Sequence, residues 1–408
     1  MTLKRIRAYS IIMAAVLWTM WLADISTPGP VDRLGKIKGT DFIQFYVGGS
    51  FVRDGRLQDF YDVNAQYARA RAIAPASRDT LYMPIQSPQT ALVFAPLSAL
   101  PYPRAVTIWL ATLVGLYLAA CWMIWVHCEA LHAYRREVLA AMVAFPGLYS
   151  TVLHGQTSAI ALVAIAAALS ALWNERRIVA GIALGCLLFK PHWLAAAIAV
   201  FVVSREWRVV ATALASALAQ LGVTFALAGP AAMNGYWKIL PSVQQIGDLL
   251  EPRPGDTLKS FFKVFVPSEP VALAMYVAAS CAVLAIAARI WRSDARFERR
   301  ASALVIATVL ISPHAFAYDL ILLAPVYLLL ANWLAEAPQE PATRIIAWSL
   351  CALFVAPLLA AVPAPIRLQF SVTAMVTILL CLCMVSDTAT RSAAVADTFF
   401  DPTIVPQR

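Results

Sequence analysis

IVAGIALGCLLFKPHWLAAAIAVFVVS, residues 178–204, is apolar throughout except for Lys190, Pro191 and His192 at its centre. As one span it crosses a membrane once. As two short helices meeting at the tripeptide it goes out and comes back, and the side assigned to everything downstream depends on which is chosen. Lys and Arg concentrate in cytoplasmic loops. Lys4, Arg5 and Arg7 place the N-terminus inside. Four further basic groups lie between apolar segments: Arg135 with Arg136, Arg176 with Arg177, Arg205 with Arg208, and Arg289, Arg292, Arg296, Arg299 and Arg300. A single span at 178–204 carries the largest of these groups outside. The paired reading keeps all four inside, so two short helices, 178–189 and 191–204, are expected.

The same logic applies at two other polar tripeptides. His154-Gly155-Gln156 joins 138–152 to 155–173, and Ser312-Pro313-His314 joins 301–312 to 316–334. Longer apolar runs at 8–27, 105–126, 206–228, 270–290, 342–361 and 367–386 fit the ~17–25 residues a span requires. The expected fold is an all-α polytopic membrane protein with about 12 transmembrane or re-entrant helices and both termini cytoplasmic. It forms one integral-membrane domain, 1–386, followed by a polar cytoplasmic tail, 387–408, expected to be disordered. The long loops 28–104 and 229–269 and all three polar junctions then face the extracytoplasmic side. A 12-residue helix rises only ~18 Å, and broken helices in pairs mark binding sites in membrane proteins.

Composition agrees. Of 408 residues 61% are hydrophobic and 13% charged, with a mean hydropathy of +0.71, against about 25% charged in a soluble domain. The pI of 9.3 does not indicate a nucleic-acid partner, because the cations are dispersed as topology signals. The seven cysteines form no CxxC pair. The N-terminal apolar run is too long for a signal-peptide core and reads as an uncleaved span. Loop 28–104 is expected to be ordered. Phe42, Phe45 and Tyr46, then Leu57, Phe60 and Tyr61, recur at helical spacing and predict two interfacial amphipathic helices. Pro84, Pro88, Pro96, Pro101 and Pro103 frame a short apolar helix between rigid turns.

Several polar residues could carry chemistry. Asp41, just beyond the first span, suits a general base at the membrane surface and equally an N-cap for the helix after it. Asp319, placed by the pattern about 1.5 turns into an apolar helix, is costly there. It reads as part of a site with His314, or as an internal ion pair with Lys190. Lys190 and His192 flank Pro191 and suit a phosphate headgroup, against simple snorkelling of the lysine. His154 and Gln156 are weaker candidates for an acceptor or sugar contact, since Gly155 between them also makes a turn. In 229–269, Tyr236, Trp237, Arg253 and Lys259 suit a sugar or lipid headgroup and equally an interfacial belt. P-loop, HExxH, GxSxG, DxD and Cys/His metal spacings are all missing. An energy-rich substrate would therefore come through the membrane. These features fit a membrane enzyme or a transporter or flippase of a lipid-linked or anionic substrate. The lack of an internal repeat and the one-sided placement of the polar groups favour the enzyme.

Five segments in order, TDFIQFYVGGSFVRDGRLQDFYD, YMPIQSPQTALVFAPLSALP, HGQTSAIAL, AGIALGCLLFKPHWLAAAIAVFVVSREWR and SPHAFAYDLILLAP, run roughly from Asp41 to Pro325. Together they resemble glycosyltransferase family 87, the polyprenol-phosphate-mannose-dependent mannosyltransferases of GT-C fold. The resemblance implies an inverting glycosyltransferase of the cell inner (plasma) membrane with its site on the extracytoplasmic face. Its donor would be a polyprenyl-phosphate sugar, most often mannose, and its acceptor a lipid or glycan hydroxyl. It would need no obligatory metal and no other cofactor. It also implies Asp41 as base, with Lys190 and His314 beside the donor phosphate.

Overall fold

The computed structural model describes residues 3–78, 86–250, 255–338, 340–361 and 363–385. Pro84, Arg253 and the tail 387–408 lie outside them. Among the described residues the chain is helical, the one strand-like pairing being an isolated bridge between Val31 and Ile37. The helices are α1 Leu3–Ile25, α2 Phe42–Arg53, α3 Val63–Ile73, α4 Pro88–Phe94, α5 Tyr102–Trp125, α6 Arg135–Val143, α7 Pro146–His154, α8 Ser158–Trp173 and α9 Arg177–Gly185. There follow α10 Pro191–Val203, α11 Trp207–Leu250, α12 Leu258–Phe265, α13 Glu269–Arg292, α14 Phe297–Ile311, α15 Ala324–Glu336, α16 Pro341–Val355 and α17 Ala364–Met384. Seven helical stretches are long and apolar enough to cross a membrane, and shorter apolar helices, α8, α9 and α10 among them, lie between these.

The chain breaks at each polar tripeptide, for local reasons. α9 tightens into a 3₁₀ turn, Cys186–Phe189, and Lys190 then leaves helical space at φ −129°, ψ 75°. Pro191 restarts the helix at its first position, where a missing N–H leaves nothing unpaired. α7 ends on Gly155 in the left-handed region at φ 66°, a conformation that favours glycine. After α14, residues 312–318 are non-helical, and a 3₁₀ turn, Asp319–Leu323, leads into α15. Asp319 therefore stands at a helix start and not 1.5 turns inside one. Its Oδ2 accepts from the Phe316 N–H at 3.1 Å, which stops the helix from extending backward to 316.

Two other expectations are corrected. α2 is not an interfacial amphipathic helix: Phe42, Phe45, Tyr46 and Gly49 on one side are buried, and so are Ile43, Val47 and Phe51 on the other. The reason is α4, which lies so close that a side chain on Gly49 would meet the Phe94 carbonyl at 2.5 Å. Phe42 stacks on Trp109 and Phe45 on Phe94, with centroids 6.2 and 5.0 Å apart. The first long loop is thus mounted on the protein core. Much of 229–269 is helix: α11 kinks at Gly229 (φ 76°, ψ 165°) and continues to Leu250. Tyr236 beyond the kink packs on Tyr61 of the first loop, with ring centroids 6.0 Å apart. After it, the Asp256 N–H donates to the Ala315 carbonyl at 2.6 Å, and Ser371 holds the Asp256 carboxylate at 2.7 Å.

The far end of the bundle carries the cations. Arg296 pairs with Glu298 and Glu336, both at 2.5 Å, and Asn332 joins Glu298 to the Ala130 N–H. Arg299 donates to the Leu382 and Val385 carbonyls and Arg177 pairs with Glu206. Along the bundle, α9 and α11 touch backbone to backbone. A Cβ on Gly181 would sit 1.8 Å from Thr212 Oγ1, and one on Gly185 2.4 Å from Ser216 Cβ. Gln220 Nε2 donates to the Gly185 carbonyl at 2.8 Å across this seam. Two small residues four apart allow such close approach in a bilayer. Gly185→Leu is expected to overpack the seam, costing about 1–3 kcal/mol and lowering the melting temperature in detergent. Gly115→Leu, where an added side chain meets open space, should leave it unchanged.

Candidate active site

Asp41 occupies the N-cap position of α2 but is itself helical in backbone (φ −90°, ψ −17°), and its side chain makes no capping bond. The capping reading fails on that geometry. The carboxylate turns to the second polar junction: Oδ2 accepts from Gln156 Nε2 at 2.8 Å. The Asp41 N–H donates to the His154 carbonyl at 2.9 Å. The two loops can lie this close because Gly39 and Gly155 abut, both in the left-handed region. A Cβ on Gly155 would come within 2.9 Å of Phe42 Cβ and 3.3 Å of Gly39 Cα. Trp109 Nε1 donates to the Gly155 carbonyl at 2.7 Å and fixes the loop from behind.

Burial pushes the Asp41 carboxyl above its ordinary value. His154, the Gln156 hydrogen bond and Lys190 pull it back, and the negative charge of Asp319 adds a further push upward. Three separate parts of the chain, at 154–156, 190 and 319, thus act on one carboxylate. His154 engages the Ser150 carbonyl through Nδ1 at 2.8 Å and lies against Tyr318, with rings 5.4 Å apart. A proton on Nδ1 leaves Nε2 as the available acceptor.

Lys190 and Asp319 form a buried ion pair, Nζ to Oδ1 at 3.0 Å, and Lys190 also donates to Ser158 Oγ at 3.1 Å. Ser158 Oγ in turn donates to Asp319 Oδ1 at 2.5 Å. Asp319, 3% exposed, has both oxygens engaged within the protein. It serves as the partner of Lys190, which was the alternative weighed for it from the sequence. The Lys190 ammonium has three N–H groups. Two reach Asp319 and Ser158, and it also lies 5.9 Å from the Tyr318 ring centroid.

His192 is half-buried against Trp193 and within electrostatic reach of Lys190, Asp319 and His314. His314 is exposed, and its peptide is tied to Ser312 Oγ through both its carbonyl and its N–H. Gln156 is buried, its amide engaged by Asp41 and by the Thr157 N–H at 3.2 Å. Tyr236 packs on Tyr61, with Trp237 exposed beside it. Lys259 lies on α12, three residues beyond the Asp256 anchor on Ala315. Sequence reasoning missed Ser158, Asp256 and Gln44. Gln44 lies one helical turn past Asp41, and its Oε1 is buried with no donor among the described residues. Its spacing of three from Asp41 was the available signal.

Beside this cluster a groove of about 940 Å³ opens between α4, α9 and α11. Phe94, Ile160, Phe189, Ala219, Val223 and Leu227 make its walls largely apolar. Thr157 and Phe189, also in its lining, are the chain neighbours of Gln156, Ser158 and Lys190. Part of the groove wall is thus continuous in sequence with the residues of the cluster.

The sequence profile of glycosyltransferase family 87 matches residues 85–313. His154, Gln156, Lys190 and His192 fall inside the match, and Asp41, His314 and Asp319 outside it. No curated protein and no solved structure matches the chain. The match spans more than half of the chain, and the protein accordingly belongs to glycosyltransferase family 87 and is a membrane glycosyltransferase.

Proposed function

We propose that the protein transfers a sugar, mannose first among the candidates, from a polyprenyl-phosphate donor to a hydroxyl of a lipid or glycan acceptor, with inversion at the anomeric carbon. The observation that carries this reading is a convergence: a half-buried carboxylate and a cation with an N–H beyond its internal partners act on each other, beside an apolar groove whose lining includes their chain neighbours Thr157 and Phe189. Family membership removes the transporter alternative.

The donor's prenyl chain lies in the groove between α4, α9 and α11, and its phosphate meets Lys190, with His192 and His314 nearby. Asp41 takes the proton from the acceptor hydroxyl as the oxygen attacks the anomeric carbon. The bond from that carbon to the phosphate oxygen breaks, and its electron pair leaves with the phosphate, whose charge Lys190 stabilises. In this reading the lysine meets the leaving charge and no metal is required. Gln44 Oε1, a buried acceptor without a donor, offers a partner to a sugar hydroxyl. The arginine-rich end lies at the opposite pole from the site, and cytoplasmic enrichment of cations supports an extracytoplasmic site in the inner membrane.

Four measurements test this. Asp41→Asn, purified and folded, is expected to lose transfer from polyprenyl-phosphate-mannose to membrane lipid or glycan extract, and equal transfer by the variant and wild type would refute Asp41 as base. With the wild type, the acid limb of kcat/KM should lie above the ~4 of a free carboxylate. The base must be ionised, and burial raises its pKa, so activity is lost at a higher pH than for an exposed aspartate. Lys190→Met should abolish transfer and lower stability by about 3–5 kcal/mol, because Asp319 is left buried and unpaired. Adding Asp319→Asn should restore much of the melting temperature without restoring activity. Ala219→Trp, which fills the groove, should raise KM for long-chain donors and spare a short-chain prenyl-phosphate sugar.

A further inference from the structure

The reading above gives the base a proton to take but does not explain what holds its carboxylate in line. We propose that Gln156 is a positioning residue for Asp41: its amide holds one carboxylate oxygen so that the other faces the acceptor hydroxyl. This inference rests on Asp41 being the base.

The orientation of the Gln156 amide is fixed from both ends. Oε1 accepts from the Thr157 N–H at 3.2 Å and Nε2 donates to Asp41 Oδ2 at 2.8 Å. A flipped amide would set its oxygen against the carboxylate and its NH₂ against a backbone N–H, two repulsive contacts in place of two bonds. The backbone beneath is equally fixed. The Gln156 N–H donates to the Thr151 carbonyl at 3.1 Å, and the flanking His154 and Gly155 carbonyls accept from the Asp41 N–H and Trp109 Nε1. The same loop thus grips Asp41 by main chain and side chain together. With Oδ2 held, rotation of the carboxylate is arrested and Oδ1 remains for the substrate.

The residue type matters as much as the geometry. A cation here would hold the carboxylate ionised and weaken it as a base, whereas a carboxylate would compete for the proton. A carboxamide orients without carrying charge. The charged and titratable groups facing Asp41 are His154 at the end of α7, Lys190 at the α9–α10 break and Asp319 at the start of its 3₁₀ turn. Gln156 is the neutral member of this set. In the step, the acceptor proton passes to Asp41 Oδ1, the acceptor oxygen bonds to the anomeric carbon, and the phosphate departs with the electron pair of the broken bond.

The test is the pH profile of kcat/KM for wild type, Gln156→Leu, Gln156→Glu and Asp41→Asn, with melting temperatures measured in parallel and polyprenyl-phosphate-mannose as donor. Gln156→Leu should lower kcat by roughly 100-fold, the scale of a base misplaced by about 1 Å, with little change in donor KM. Its acid limb should move to higher pH, because a hydrogen bond favouring the ionised form is gone. Gln156→Glu, close in shape, should move the limb further as two carboxyls share a proton, and it serves if the leucine variant does not fold. An unmoved limb in both variants, or a loss that follows only the folded fraction, overturns the inference while leaving Asp41 as base. Full activity of Asp41→Asn would overturn both together.

Discussion

Helices that stop before crossing a bilayer leave carbonyls without partners, and in this protein those ends are closed by other interrupted segments. The His154 and Gly155 carbonyls accept from Asp41 and Trp109, the Gly185 carbonyl from Gln220, the Ala315 carbonyl from Asp256, and the Tyr318 carbonyl from Thr151. Each break is therefore completed by a distant part of the chain. The arrangement gathers polar groups from distant parts of the chain into one region and lets apolar helices close around it.

That mutual closure gives the site its division of labour. On one side Asp41 and Gln156 lie against a wall of stacked aromatic residues from α2, α4 and α5. On the other, Lys190, Ser158 and Asp319 bind the starts of α8, α10 and α15 into a single charged knot. The groove between α4, α9 and α11 is lined by Thr157 and Phe189, chain neighbours of both groups. The carboxylate and the ammonium act on each other electrostatically yet bond to different partners, so each keeps its own chemistry.

The positions of the breaks were legible in the sequence. Lys190-Pro191-His192 carries a helix-starting proline, and His154-Gly155-Gln156 carries the glycine its turn requires. Other features depend on tertiary packing that periodicity does not report. The helical spacing of Phe42, Phe45 and Tyr46 is real, but it does not report that Ile43, Val47 and Phe51 on the far face are buried as well. Asp319 looked embedded in a helix because nothing local reveals that its carboxylate is taken by the Phe316 N–H, Ser158 and Lys190. The continuation of α11 through Gly229 and Pro230 was masked by residues that usually end helices. Gln156 was read as a sugar contact because its partner, Asp41, lies 115 residues earlier in the chain.

The separation of Lys190 and Asp319 also bears on biosynthesis. They are 129 residues apart, and at about 5–20 residues per second a ribosome takes roughly 6–26 s to make that length. Through that interval the Lys190 ammonium lacks the Asp319 carboxylate it pairs with in the finished protein, and it must stay within reach of water or headgroups. The centre of the site thus seals late, and only when the turn that leads into α15 takes its place.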